Sequence, residues 1–200
     1  MKYVIATNNA HKLIELAHIL EDLGVEAISL KAAGVTDMPE ETGQTFEENA
    51  LIKARAACLK TGLAAIADDS GLVVDALHGQ PGVYSARYGA PEAATDRDRT
   101  ALLLKNMAGM GDRTARFACA CACVFPGGDV VTAYGCCEGV ILDAPRGGGG
   151  FGYDPVFYVP QLGMTFSQMP EAEKNRISHR GKALRALKIK IAAHLEGQDA

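Results

Sequence analysis

The run Ala67-Asp68-Asp69-Ser70-Gly71 holds two adjacent carboxylates at the end of an apolar stretch, Ala64-Ala65-Ile66-Ala67. The stretch reads as a short buried strand and Ser70-Gly71 as the turn after it. Two negative charges side by side cost free energy unless a cation shares them. In open α/β sheets the carboxyl ends of strands are also where ligands bind. A divalent metal with a phosphate substrate satisfies both conditions. A capped helix start or a solvated turn uses the same residue types and stays open on this segment alone.

Four further segments carry groups of matching chemistry. Thr7-Asn8-Asn9-Ala10-His11-Lys12 places a hydroxyl, amides and an ammonium at a helix start, where free backbone N–H groups and the dipole attract anions. Lys12 is a cation at the positive end of a helix, which points to a compensating anion such as a triphosphate. Glu40 and Glu41, in the loop Pro39–Gly43, can supply oxygens to Mg²⁺, which takes one or two carboxylates plus waters and phosphates. In Gly149-Gly150-Phe151-Gly152-Tyr153-Asp154-Pro155 the glycines allow close backbone approach. There Phe151 or Tyr153 could stack on a planar base, and Asp154 could accept from a ring N–H. Glu173 to Gly181 gathers Lys174, Arg176, His179 and Arg180 before a final helix. Each has a plainer reading: a capped helix, an acidic turn, packed aromatics and a solvated basic face.

The elements that must position these groups follow from pattern. Residues 2–7 read as a strand. A helix with Leu13, Leu16, Ala17, Leu20 and Leu23 on one stripe follows, ending at Gly24. Val25 to Leu30 reads as a second strand. Thr45-Phe46-Glu47-Glu48 is a capping box that opens a helix to Thr61, stopped by Gly62. Asn49 and Lys53 lie four apart on it and share a face. Residues 64–68 form the strand before the Asp-Asp turn, and 79–89 form a loop. A helix spans 95–107, capped by Thr95 or Asp96. Residues 114–125 and 129–142 read as two long strands joined by a hairpin turn, either a lobe of its own or an extension of one sheet end. A short strand lies near 156–159, and the last helix covers about 181–196. Early βαβ units followed by a hairpin predict a mixed sheet.

The chain has 200 residues, 22% of them charged and 48% hydrophobic, the proportions of an ordinary globular protein of one domain or two lobes. Its 20 basic and 24 acidic residues leave a formal net charge of -4, which argues against a nucleic-acid polymer as partner. No apolar run reaches the length of a membrane span. Met1 to Thr7 reads as a strand and not a signal peptide, so a cytoplasmic protein is expected. Cys119, Cys121 and Cys123 alternate with alanines and share one strand face as small hydrophobes. No zinc-ligand spacing appears among the six cysteines.

Taken in order, these segments resemble the inosine triphosphate pyrophosphatase family. The resemblance runs from Ala6-Thr7 to Ser178-His179-Arg180-Gly181. It is carried by Glu40-Glu41-Thr42-Gly43, Thr45-Phe46 with Glu48-Asn49-Ala50, Ala67 to Leu72, Pro81 to Tyr88 and Gly149 to Pro155. The resemblance implies an α/β fold: an elongated, mixed-sheet, two-lobed domain over residues 1–200 with a central cleft, usually a homodimer. It implies Mg²⁺-dependent hydrolysis of ITP, dITP and XTP to the monophosphate and pyrophosphate. On that reading Asp69 is the general base and a metal ligand, with Glu40 the second ligand and Glu41 its substitute. Thr7, Asn8, Asn9, Ala10, His11 and Lys12 line the triphosphate, with Lys53 assisting and Ser70 touching substrate. Phe151, Gly152, Tyr153 and Asp154 frame the base, while Lys174, His179 and Arg180 select its 6-oxo group. Asn8 and His11 depart from the glycines often found in the phosphate loop. Two other functions stay open: a pyrophosphatase for modified pyrimidine triphosphates, and a nucleotide-binding module without turnover.

Overall fold

The structure, a computed structural model, describes residues 1–7, 9, 12, 13, 16, 17, 20 and 24–198. Among these residues seven strands form one mixed sheet. They are β1 (Lys2–Ile5), β2 (Glu26–Ser29), β3 (Ala64–Val74), β4 (Thr114–Val124), β5 (Val130–Ile141), β6 (Phe157–Val159) and β7 (Met164–Thr165), in the order β2-β1-β3-β4-β5-β6-β7. Strand β1 is parallel to both β2 and β3, with Tyr3, Val4 and Ile5 opposite Ala64, Ala65 and Ile66. Strands β5, β6 and β7 are antiparallel. Lys12, Leu13, Leu16, Ala17 and Leu20 are helical. Further along lie α1 (Phe46–Thr61), α2 (Asp96–Asn106), α3 (Glu171–Ile177) and α4 (His179–Gln198).

The chain divides into two compact units, and strands β3, β4 and β5 each contribute to both. The first comprises residues 1–69, 119–135 and 180–200. Its sheet is covered on both faces, because its strands are apolar on both sides. Tyr3, Ile5, Ile66, Cys119, Cys121 and Cys123 pack with Leu16, Leu20, Leu184 and Leu187 on one face. Val4, Ala65, Ala67 and Ala122 pack against Ala50, Ala54, Ala57 and Cys58 of α1 on the other. The alternating cysteines are core, as expected. Cys119 and Cys121 have sulfurs 3.7 Å apart, and burial with Cys58 nearby pushes the Cys123 thiol up to about 12. The second unit, residues 70–118 and 136–179, has a core of its own built on Leu72, Leu103, Met107, Phe117, Phe157 and Phe166.

Helix α1 begins and ends where expected. The Thr45 side chain accepts from the Glu48 amide, the Glu48 carboxylate accepts from the Thr45 amide, and Gly62 closes the helix in the left-handed region. The Thr95 capping box opens α2 in the same way.

Several expectations are corrected. Asp68-Asp69-Ser70-Gly71 is not a turn: β3 runs through it to Val74. The long β4–β5 hairpin lies inside the sheet order, neither at one end nor in a lobe of its own. The loop 79–89 contains a 3₁₀ helix, Gly82–Arg87. The last helix starts at His179, two residues earlier than expected, and Ser178 ends α3, a helix that the sequence pattern does not predict. Leu23 lies outside the described residues.

Candidate functional site

Strand β3 explains the site of the first unit. Its pairing with β1 ends at Ile66 opposite Ile5, so Asp68 and Asp69 lie just past the carboxyl end of β1. That end sits between β2 and β3, where the strand order reverses, the usual ligand position in such sheets. Because the segment is extended, successive side chains point to opposite faces. Asp68 follows Ile66 toward the Cys119 face, and Asp69 follows Ala67 toward α1.

Each carboxylate therefore finds its own partners. Asp68 is 2% exposed. Its Oδ2 accepts from Lys12 Nζ at 2.7 Å, Arg180 Nε at 3.5 Å and Cys119 Sγ at 4.0 Å. Its Oδ1 is buried with no hydrogen-bond partner among the described residues. Burial alone would raise this carboxyl. The Lys12 and Arg180 charges and the Lys12 hydrogen bond outweigh burial and hold it below the usual carboxylate range. The anion that Lys12 calls for at its helix start is thus supplied by the protein itself.

Asp69 accepts from Asn49 Nδ2 at 3.0 Å on Oδ2 and lies 3.8 Å from Lys53 Nζ through Oδ1. The Asn49 amide can point only one way, since its Oδ1 accepts the Gly43 N–H at 2.8 Å. A Cβ on Gly43 would stand 2.7 Å from that same oxygen, so glycine lets the loop close over the start of α1. Lys53 also donates to Glu41 Oε1 at 2.6 Å. Burial raises the Asp69 carboxyl above its ordinary value, with Glu41 adding to the rise, against the opposing pull of Lys53 and the Asn49 hydrogen bond. Of the two loop glutamates, Glu41 reaches this group, while Glu40 is exposed.

The oxygens of Asp69 and Glu41 converge on one cation, Lys53. Hard carboxylate oxygens gathered about a positive charge fit Mg²⁺, which needs only one or two of them. Thr7 Oγ1 accepts from the Asn9 amide at 3.1 Å, and Asn9 Oδ1 accepts from the Lys12 amide at 3.3 Å, which caps the helix carrying Lys12. Asn8, Ala10 and His11 lie outside the described residues. Ser70 sits half-buried on β3.

The second unit holds another cluster. Asp154 Oδ2 accepts from the Phe151 amide at 2.9 Å and Lys174 Nζ at 2.6 Å. Lys174 lies 4.8 Å over the Phe151 ring, a cation–π contact. The turn depends on Gly150, at φ +77°, where a Cβ would collide with the Asp154 carboxylate. Gly152 N–H donates to Asp96 at 2.7 Å, which ties the turn to the start of α2. The two aromatic candidates separate here: Phe151 is 49% exposed and Tyr153 only 4%. Tyr153 belongs to the core and donates its hydroxyl to the Ser85 carbonyl at 2.9 Å. The exposed ring on this turn is Phe151. The His179 ring is buried, stacked on Phe117 at 4.8 Å and 13°.

The sequence marks Asp68 as half of an acidic pair but assigns it no partner of its own, and it assigns no role to Asn49 or Phe117. Asn49 had a signal in its spacing from Lys53. Phe117 had none beyond strand alternation.

A profile of the Ham1 family matches residues 3–190. The chain is 53% identical over 189 residues to a dITP/XTP pyrophosphatase of Thermus thermophilus, covering 94% of this chain and 90% of that protein. It is 52% identical over 191 residues to the dITP/XTP pyrophosphatase of Geobacter sulfurreducens, covering 94% of each. The solved structure of a HAM1 protein from Coxiella burnetii superposes with a TM-score of 0.90 at 43% identity, over 96% of this chain and 99% of that one.

Proposed function

Since the chain belongs to the Ham1 family, we propose that it hydrolyses dITP, XTP and ITP to the nucleoside monophosphate and pyrophosphate. The relatives at about half identity carry the name dITP/XTP pyrophosphatase, and the protein is a hydrolase of triphosphate anhydride bonds. The observation that carries the detailed reading is Asp69. It is a buried carboxylate with a raised pKa, held by Asn49 and Lys53 beside Glu41.

Asp69 accepts the proton of a water that attacks the α-phosphorus. The new bond is water oxygen to α-phosphorus, and the bond that breaks joins that phosphorus to the bridging oxygen of pyrophosphate. A raised pKa suits a general base near neutral pH. Asn49 keeps one Asp69 oxygen fixed. Lys12 and Lys53 bind phosphate oxygens, and Lys53, beside Asp69, stabilises the charge that grows on them. Asp69 and Glu41 would hold Mg²⁺, with Glu40 beside Glu41 in the loop, and bound there it would supply charge neutralisation at the phosphates. Phe151 offers its exposed ring to the base, and Asp154 and Lys174 fix the turn that presents it. His179 and Arg180 favour a 6-oxo purine, because a 6-amino group would leave their donors unpaired. The assembly in this reading is a homodimer, which the family resemblance supports.

The test is product identity with Mg²⁺ and equal concentrations of ITP, XTP, ATP and UTP. Pyrophosphate from ITP and XTP, with ATP and UTP nearly untouched, is the expected result. Orthophosphate would place the attack at another phosphorus. Preference for UTP would favour a pyrimidine enzyme, and tight ITP binding without turnover a binding module.

A further inference from the structure

Asp68 is out of place by the chemistry of its surroundings. It occupies the β3 face that Ala64 and Ile66 otherwise make apolar, against Cys119, Cys121 and Cys123. A buried ion pair is a poor source of stability, since well-packed apolar residues often replace one at no loss. Its hydrogen bonding is also lopsided. Lys12, Arg180 and Cys119 all meet Oδ2, while Oδ1 is buried without a partner among the described residues. A carboxylate placed for its own satisfaction would spread donors over both oxygens. This one draws two cations to a single point. The ammonium of Lys12 is the more exposed partner, with its side chain 17% exposed against 1% for Asp68 and 7% for Arg180.

We propose that Asp68 is a positioning residue: its carboxylate sets Lys12 and Arg180 in place before the nucleotide arrives, so that Asp68 governs KM while Asp69 governs kcat. This rests on the reading of Lys12 and Arg180 as nucleotide ligands. The ordering cost of two long cationic side chains is then met during folding instead of during binding. Asn is the informative substitution. It has the shape of Asp, can keep its carbonyl toward Lys12 and its NH₂ at the unpartnered side, and removes only the charge.

The experiment compares wild type, Asp68→Asn, Lys12→Ala and the double variant in pyrophosphate release from ITP, with folding checked by circular dichroism. Asp68→Asn is expected to raise KM by at least about tenfold and change kcat by less than about threefold, the pattern of lost uniform binding. Adding Lys12→Ala to it is expected to raise KM by no more than about threefold further, since the two act as one unit. An unchanged or lower KM, or a fall in kcat alone, overturns the proposal. Should Asp68→Asn not fold, the structure of the unsubstituted protein with α,β-methylene-ITP decides. Lys12 Nζ on a phosphate and still on Asp68 Oδ2 supports the proposal, and Lys12 swung away from Asp68 overturns it. A wild type that releases no pyrophosphate from ITP or XTP overturns the functional reading and this proposal with it.

Discussion

Asp68 and Asp69 are neighbours in sequence, yet their carboxylates serve opposite faces of β3: Asp68 bonds Lys12 at 2.7 Å and Asp69 bonds Asn49 at 3.0 Å. Their short ion pairs differ, Lys12 meeting Asp68 and Lys53 meeting Asp69, while both ammonium charges act on both carboxylates. Among the described residues, Glu41 joins Asp69 on Lys53, and Arg180 joins Lys12 on Asp68.

Asp69→Asn removes the base and keeps the shape. We expect kcat to fall by roughly 10²–10⁴-fold, with ITP affinity within about tenfold of wild type. Pyrophosphate release and calorimetric titration with ITP measure the two. Equal loss of binding and turnover would contradict the assignment of Asp69 as base.

The loop glutamates differ in reach. Glu41 meets Lys53 at 2.6 Å, while Glu40 is exposed. Glu41→Gln is therefore expected to raise the Mg²⁺ concentration needed for half-maximal rate by about tenfold or more, because a carboxylate ligand becomes a neutral amide. Glu40→Gln should shift it by less than about threefold. The reverse order in a Mg²⁺ titration would return the role to Glu40.

Gly150→Ala should act on base recognition more than on the fold. The residue sits at φ +77° and its new Cβ would meet the Asp154 carboxylate, which Lys174 also holds. Left-handed backbone costs a non-glycine residue about 1–2 kcal/mol. The turn carrying Phe151 is expected to shift, so KM for ITP should rise about tenfold or more with kcat little changed. A wild-type KM would show that the turn does not contact the base.

Tyr3 gives a pH signature away from the site. Burial, with Cys123 nearby, raises its phenol from 10.0 to about 12. The unfolded chain therefore releases this proton first as pH climbs, and the folded state loses stability from about pH 10 upward until its own phenol ionises. Tyr3→Phe should flatten that alkaline loss in part, since Cys123 contributes in the same direction. At neutral pH it should leave stability equal or higher, because the Tyr3 hydroxyl is buried with no partner among the described residues. Urea unfolding at pH 7.5 and 10.5 checks both parts. A variant with the wild-type alkaline slope would count against the assignment.

Much of this was legible in the sequence where the interactions are local. The Thr45 capping box, the Gly62 stop and the Asn49–Lys53 face all depend on residues within four positions of each other. The extended Asp68-Asp69 was not legible. Its residue types favour a turn, and what overrides them comes from far away: Lys12 is 56 positions from Asp68 and Arg180 is 112. Phe151 and Tyr153 look equivalent in sequence. Long-range contacts separate core from surface: Tyr153 packs into the apolar cluster of the second unit and its hydroxyl reaches Ser85, 68 positions off. Helix α3 escaped notice because seven residues are too few to show a stripe, although Glu171 and Glu173 at its start and Lys174 and Arg176 at its end suit its dipole.

The alternation of Asp68 and Asp69 along β3 also bears on how the sheet assembles. Ala64, Ala65 and Ala67 are nearly interchangeable in shape, so the packing cost of a sliding strand falls here on the fully buried Ile66. A slip by one residue, however, turns every side chain to the other face. It would place either Ala67 or Asp69 where Asp68 belongs, and either Asp68 or Ser70 where Asp69 belongs. Either slip leaves one acidic position without a carboxylate: in the first Lys12 and Arg180 lose theirs, and in the second Asn49 loses its acceptor. The aligned strand satisfies both faces at once, so the two side chains that line the site also favour the observed register.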